Sequence, residues 1–312
     1  MAIYYDRLFN MPALTANWGP PTASGMQWKT HPSYGTGVAG GGALASGSLA
    51  FGIYVDDGYE AINTIAYARR QGSLSSGILT FFGKSNGARR VIISRNGVQI
   101  YDVILTGVWA RYSCPYDGGV DVEFMFEMEA DYEWDDGSCT VSDIMWVEDG
   151  SKSFFEDFSS VPAGQLTTSG VLSGSGILWS TLDHSPARIE EDVTRANSGT
   201  KTLLLKCLVA ETNADPDFPC DNRIAIANMG AMSSGRMYIF SRNKGLYYPP
   251  PTFTDIFVNN QLVGTIKTNK KWYNMASFLF TGGPSVEIKF EERFQGQQGN
   301  VYLDTLLFLE GP

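Results

Sequence analysis

The sequence predicts an all-β chain folded as two tandem jelly-roll-like antiparallel β-sandwiches related by internal duplication, residues 1–150 and 151–312. Three observations predict this. Apolar segments are short and bounded by Gly, Asn, Ser and Pro, as strands are. None sustains the 3.6-residue apolar period of an amphipathic helix. Sequence features near the start of the chain also return in the same order about 150–164 residues later.

The duplication can be followed along the chain. Asp6, Leu8 and Pro12 return as Glu156, Phe158 and Pro162, and Gly25 and Trp28 as Gly176 and Trp179. Ser75-Ser76-Gly77 returns as Ser233-Ser234-Gly235, and Asn96 and Trp109 as Asn259 and Trp272. Gly118-Gly119 precedes Val122-Glu123, as Gly282-Gly283 precedes Val286-Glu287, and Asp143 matches Asp304. Any single match is uninformative; the preserved order carries the inference.

Strands are legible within each copy. Val91-Ile92-Ile93 and Val103-Ile104-Leu105 flank Asn96-Gly97, a strong two-residue hairpin signal. Asn259-Asn260 takes the same place in the second copy, since Asn tolerates positive φ. From Val122 to Asp135 the sequence alternates. Val122, Phe124, Phe126, Met128, Ala130, Tyr132 and Trp134 share one parity; Asp121, Glu123, Glu127, Glu129, Asp131, Glu133 and Asp135 share the other. A period of two gives one apolar and one acidic face, a half-buried strand. Gly35–Gly47 reads as a glycine-rich loop. Its Gly35-Thr36-Gly37-Val38-Ala39-Gly40 matches a dinucleotide fingerprint only formally, because no strand and helix flank it. Tyr248-Pro249-Pro250-Pro251 reads as a stiff extended connection.

Composition narrows the functions. With 23 basic against 33 acidic residues the net charge is −10, which argues against nucleic acid as a partner. The charge is concentrated in residues 1–150, with 9 basic and 17 acidic residues. No apolar run approaches the roughly 20 residues that span a bilayer. Asp6, Arg7 and Pro12 stand where a signal peptide would place an apolar stretch.

The second copy also carries a resemblance. Phe154-Phe155-Glu156-Asp157-Phe158, Asn259-Asn260-Gln261-Leu262-Val263, Trp272, the Gly-Gly turn, Val286-Glu287-Ile288-Lys289-Phe290 and Asn300-Val301-Tyr302-Leu303-Asp304 follow in that order. This succession resembles the jelly-roll sandwiches of carbohydrate-binding modules and related adhesion domains. The resemblance implies a structural calcium held by Glu156, Asp157 and Asp304, and by Asp6 with Asp143, since Ca²⁺ takes hard oxygen ligands. In style, a Gly/Ser-rich, aromatic-rich, all-β chain without an export signal also resembles bacteriophage virion proteins. That reading implies synthesis in the host cytoplasm, action outside the cell, and partners that are further copies of itself and other virion proteins.

Three classes of function remain. The first is a non-enzymatic structural or adhesive component of a phage particle, assembling as an oligomer. The second is a glycan-binding, lectin-like module. The third and weakest is a glycan-cleaving hydrolase, which needs two positioned carboxylates. For a glycan, Trp28 with His31 and Trp179 with His184 offer an aromatic ring beside a polar side chain; the alternative is that each Trp is core and each His bonds within its own loop. For assembly, the acidic strand (Glu127, Glu129, Asp131, Glu133) is read as facing Lys267, Lys270 and Lys271 of another subunit; the alternative is a solvated face. Cys114 with Cys139 and Cys207 with Cys220 are disulfide candidates, with free thiols or intermolecular bridges as the alternatives. Neither a Gly-x-Ser-x-Gly elbow nor a Cys-x-x-Cys pair occurs, so no catalytic residue is assigned and no cofactor is expected beyond the calcium.

Overall fold

A computed structural model describes residues 2–8, 11–33, 36–40, 42, 47–52, 54–55, 61–129, 138–182, 187–191, 201–206, 223–243, 252–268, 274–293 and 300–311. The chain forms two compact units, Met1–Ser151 and Lys152–Pro312. Among the described residues every regular element is a strand and none is a helix.

In the first unit the principal strands are β1 (Ile3–Asp6), β2 (Met26–Thr30), β3 (Gly47–Gly52), β4 (Thr64–Arg70) and β5 (Gly77–Ser85), then β6 (Arg89–Arg95), β7 (Val98–Leu105), β8 (Ala110–Tyr116), β9 (Glu123–Met128) and β10 (Ser138–Glu148). The second unit repeats them as β11 (Ser153–Glu156), β12 (Leu178–Ser180), β13 (Lys201–Lys206), β14 (Ile224–Asn228) and β15 (Gly235–Asn243), then β16 (Thr252–Val258), β17 (Gln261–Thr268), β18 (Asn274–Phe280), β19 (Glu287–Arg293) and β20 (Asn300–Glu310). One sheet of the first unit runs β8-β5-β10-β3, with β1 also paired to β10; in the second unit β18-β15-β20-β13, with β11 on β20, has the same order. The other sheet runs β7-β6-β9-β4-β2, matched by β17-β16-β19-β14-β12. All the pairings are antiparallel.

Each unit is a sandwich because alternate residues of both sheets meet in one core. In the first unit Phe81 and Trp146 from one sheet pack against Phe124, Phe126 and Trp28 from the other, at ring separations of 5.7–6.4 Å. In the second, Leu303 and Phe308 share a core with Ala227, Ile256 and Phe290. The alternation read in β9 holds: Val122, Phe124, Phe126 and Met128 are fully buried.

The duplication extends to single hydrogen bonds. The Asn96 and Asn259 carboxamides accept from the Glu123 and Glu287 N–H groups at 2.8 and 2.9 Å. Ser76 and Ser234 Oγ each accept from Gly118 and Gly282 N–H at 2.9 Å. Asn96 and Asn259 share φ 47°, completing the left-handed hairpins β6–β7 and β16–β17.

Two expectations are corrected. Gly37–Gly40, placed in a glycine-rich loop, is a strand paired with β3. The sequence match of Asp143 with Asp304 also slips by one residue. Glu148 and Glu310 stand opposite Gly77 and Gly235, which aligns Asp143 with Thr305 and Ser142 with Asp304. Both strands carry a bulge at this point, and similarity of residue type cannot resolve a one-residue shift across a bulge.

Candidate functional site

The tryptophans offered as sugar platforms are core residues. Trp28 and Trp179 lie on the inward parity of β2 and β12, with 2% and 0% exposure, so neither ring face is open to a ligand. Each indole is instead fixed by the repeat-equivalent carboxylate. Trp28 Nε1 donates to Asp6 at 2.8 Å, and Trp179 Nε1 donates to Glu156 at 3.1 Å. Asp6 also accepts from Leu8 N–H, Thr22 Oγ1 and Ser24 Oγ; Glu156 accepts from Phe158 N–H and Ser175 Oγ. A buried carboxylate is tolerated when its lone pairs are satisfied. These two draw a loop, a strand and an indole together, and they hold Leu8 and Phe158 at positive φ.

Asp6 and Glu156, two of the carboxylates that the resemblance offers to calcium, are thus hydrogen-bonded to the protein's own donors. Of the other carboxylates, Asp143 accepts from Tyr5 Oη at 2.7 Å and Ser142 Oγ at 2.9 Å, Asp157 accepts from Ser159 N–H at 2.9 Å, and Asp304 is fully buried. Among the described residues no group of three or more His, Cys, Asp or Glu is placed to hold a metal ion. His31 Nδ1 accepts from Ser33 N–H at 3.2 Å, a bond within its own loop, while His184 lies outside the described residues.

Cys114 and Cys139 are free thiols, so of the alternatives the sequence leaves open the Cys114–Cys139 bridge is not formed. Cys114 stands opposite Leu79 and Cys139 opposite Ser85, on opposite sides of β5. Six residues along a strand is about 20 Å, against the 7 Å or less that a disulfide spans. Burial pushes both thiols up to about 12, with Arg89 opposing the shift at Cys139. The thiolate is the nucleophile, so both groups stay protonated and inert until the pH approaches that value. Iodoacetamide at about pH 8 is therefore expected to leave both unmodified in the native protein and to alkylate both in urea, as read by peptide mass mapping. Alkylation of either in the folded chain would contradict this. Cys207 and Cys220 lie outside the described residues.

The acidic face of β9 has partners that sequence proximity hides. Arg90, on neighbouring β6, bridges Glu129 at 2.5 Å and Asp102 at 2.6 Å. Asn63 donates to Glu127 at 2.5 Å, and Lys29 on β2 lies 3.7 Å from Glu123. The described acidic residues Glu123, Glu127 and Glu129 are thus answered from within their own unit. Asp131, Glu133, Lys270 and Lys271 lie outside the described residues, and Lys267 is an exposed side chain 5.9 Å from the Phe253 ring centre.

The arrangement best suited to a ligand lies on the outward face of β2, β4 and β9. Register places Gln27, Arg69 and Glu123 in one row and Lys29, Tyr67 and Met125 in the next. Trp18 joins them from the preceding loop, which Gly19 N–H to Trp28 O and Thr30 N–H to Thr15 O tie along β2 at 2.9 Å each. Lys29 Nζ stands 4.4 Å from the Trp18 ring centre and 4.5 Å from that of Tyr67, and the Arg69 guanidinium stands 4.3 Å from Trp18. Arg69 Nε donates to Gln27 at 3.0 Å, and Gln27 Nε2 donates to Gly19 O at 2.9 Å. Burial, and then the Glu123 and Glu127 carboxylates, raise the Tyr67 phenol, which keeps it a neutral hydroxyl. The result is a half-buried aromatic platform held by stacked cations. Trp18 was missed by the sequence reading. Its signal is a tryptophan set among turn residues, Asn17-Trp18-Gly19-Pro20-Pro21, where no core strand runs.

No protein-family model matches the chain, and no curated protein matches it. Among solved structures it is similar to the K1 cleaved adhesin domain of Lys-gingipain from Porphyromonas gingivalis, with 12% identity and TM-score 0.34 over 48% of this chain and 100% of that one. It is also similar to the N-terminal CBM22 tandem domain from Paenibacillus barcinonensis, with 10% identity and TM-score 0.32 over 96% and 97%. A family 29 carbohydrate-binding module matches at 12% identity and TM-score 0.29, over 47% and 89%. These structural neighbours are carbohydrate-binding and adhesin β-sandwich domains.

Proposed function

We propose that the protein is a non-enzymatic glycan-binding protein and that the open sheet face around Trp18 in the first unit is its ligand surface. The carrying observation is the Trp18–Lys29–Tyr67–Arg69 cluster. The half-buried indole and phenol suit the apolar face of a sugar ring, and the cations stacked on them, with Gln27 and Glu123, offer hydrogen-bonding groups for its hydroxyls. Because Lys29 and Arg69 already rest on the rings, little side-chain freedom is lost on binding.

The same face does not suit hydrolysis. Glu123 and Glu127 are about 13 Å apart along β9, wider than the roughly 5–10 Å that glycosidases use. Glu129, about 7 Å from Glu127, is held in an ion pair by Arg90. The Glu123 and Glu127 carboxylates also face Lys29 and Asn63. The virion reading draws on the style of the sequence, whereas this one draws on an arrangement of named atoms.

Affinity electrophoresis against plant, fungal and bacterial polysaccharides, followed by calorimetry on the ligand found, tests the proposal. Trp18→Ala is expected to weaken binding at this face by at least about tenfold, and Tyr67→Ala by somewhat less, without moving the unfolding midpoint. Retention by no polysaccharide, or undiminished binding by Trp18→Ala, would refute it.

A further inference from the structure

The ligand face of the first unit is not repeated residue for residue in the second. Trp28 pairs with Ala68 as Trp179 pairs with Ala227, so Gln27, Lys29, Tyr67 and Arg69 correspond to Leu178, Ser180, Ile226 and Asn228. The cations and the phenol are gone from these four positions. The face carries instead Lys289, opposite Ile226, 4.0 Å from the Phe257 ring centre and 2.8 Å from Glu291. The second unit has something different: a cavity of about 560 Å³, inside the range usual for small-molecule sites.

The lining of this cavity is uncharged. Val263 of β17 and the exposed Leu279 of β18 supply the apolar lining, with the core residue Phe280 behind them, and Ser233, Ser234, Gln261 and Thr281 supply hydroxyl and amide groups. The polar loop is fixed before any ligand arrives. Ser233 N–H donates to Glu310 at 2.7 Å, and Ser234 Oγ accepts from Gly282 N–H. The equivalent of that second bond, Ser76 with Gly118, aligns the two units here and sets Pro115, Tyr116 and Asp117 against Leu279, Phe280 and Thr281. The first unit therefore has a carboxylate where the second has a threonine.

We infer that this cavity is a second binding site, specific for a neutral saccharide unit. An apolar wall facing hydroxyl and amide groups, with no charge, complements a ring that has one apolar face and many hydroxyls, and it offers nothing to balance a carboxylate or sulfate. The class of ligand rests on the glycan-binding reading; the site rests on different residues in a different unit. The duplicated frame thus holds two surfaces, one bordered by cations and one neutral.

Calorimetry on the full chain with cellohexaose, xylohexaose and mannohexaose, and with a hexagalacturonate as the charged probe, tests this. The Trp18→Ala background removes the first surface. That protein is expected to bind at least one neutral hexasaccharide and not the hexagalacturonate. Leu279→Ala or Gln261→Ala, both at exposed positions, then weakens binding by about tenfold. Val263→Trp fills the cavity and abolishes it. If the Trp18→Ala protein binds no neutral probe, or binds one undiminished by all three changes, the inference falls; the proposed function still stands provided the wild type binds through Trp18. If wild type and Trp18→Ala bind alike and only the cavity variants lose affinity, the inference holds and the Trp18 surface falls. If no probe binds the wild type, both fall.

Discussion

Replacing Trp179 with alanine is expected to destabilise the second unit by about 3–5 kcal/mol, and Trp28→Ala to do the same to the first. The Trp179 ring packs 5.0 Å from Phe158 and 6.0 Å from Phe290, centre to centre, and is fully buried. Alanine leaves a cavity at the seam between the sheets. It also takes a donor from Glu156, a carboxylate buried to 1% exposure that then keeps only Ser175 Oγ and Phe158 N–H. Trp179→Phe separates the two terms: it retains most of the ring and loses only the N–H, for about 1–3 kcal/mol. Urea unfolding followed by circular dichroism reads both, and a two-unit protein is expected to show the loss in one transition only. A loss under about 1 kcal/mol for Trp179→Ala would mean that the indole is not the anchor described.

Gly235→Ala is expected to rank next, at about 3 kcal/mol, with Gly77→Ala as its equivalent. A Cβ on either residue would lie 2.0 Å from a carbonyl oxygen, Leu309 O or Val147 O, and 2.9 Å from the Cα of Glu310 or Glu148. These are backbone atoms of β20 and β10, central strands hydrogen-bonded on both sides, so relief requires parting a sheet rather than turning a side chain. Gly97→Ala is the control. Nothing lies within 4 Å of its Cβ, so only its φ of 78° resists, for about 1 kcal/mol. Thermal unfolding of the three variants is expected to place Gly97→Ala well above the other two. A similar Tm for Gly235→Ala and Gly97→Ala would contradict the close approach.

The carboxylate anchors show why the fold was more legible than the site. Asp6 and Glu156 were found as equivalent positions, because their spacing to Leu8 and Phe158 and to Trp28 and Trp179 is nearly conserved between the copies. Their hydrogen bonds to Trp28 and Trp179 were not legible, because spacing does not show which donors a folded loop turns toward a carboxylate. The partners of the acidic strand were hidden the same way. Arg90 and Lys29 lie far from Glu129 and Glu123 in sequence, yet β6 and β2 bring them within 2.5 and 3.7 Å. In a sheet the neighbours of a side chain are cross-strand, and their sequence separation is set by topology.

What the sequence determined by itself was periodic or local. The two-residue period of β9, the Asn turns at 96 and 259 and the ordered return of the same residues in a second copy follow from backbone geometry, which acts over a few residues and repeats when the sequence repeats. Only the tertiary structure decided which faces open outward. It buried Trp28 and Trp179 by placing their strands' inward parity against a second sheet, and it set Trp18 on Lys29 and Arg69 by pinning a loop along β2. It also formed an uncharged pocket from four segments of the second unit that are distant in the chain. A binding surface is assembled from residues that burial leaves over, and burial is a property of packed sheets, which no single strand carries alone.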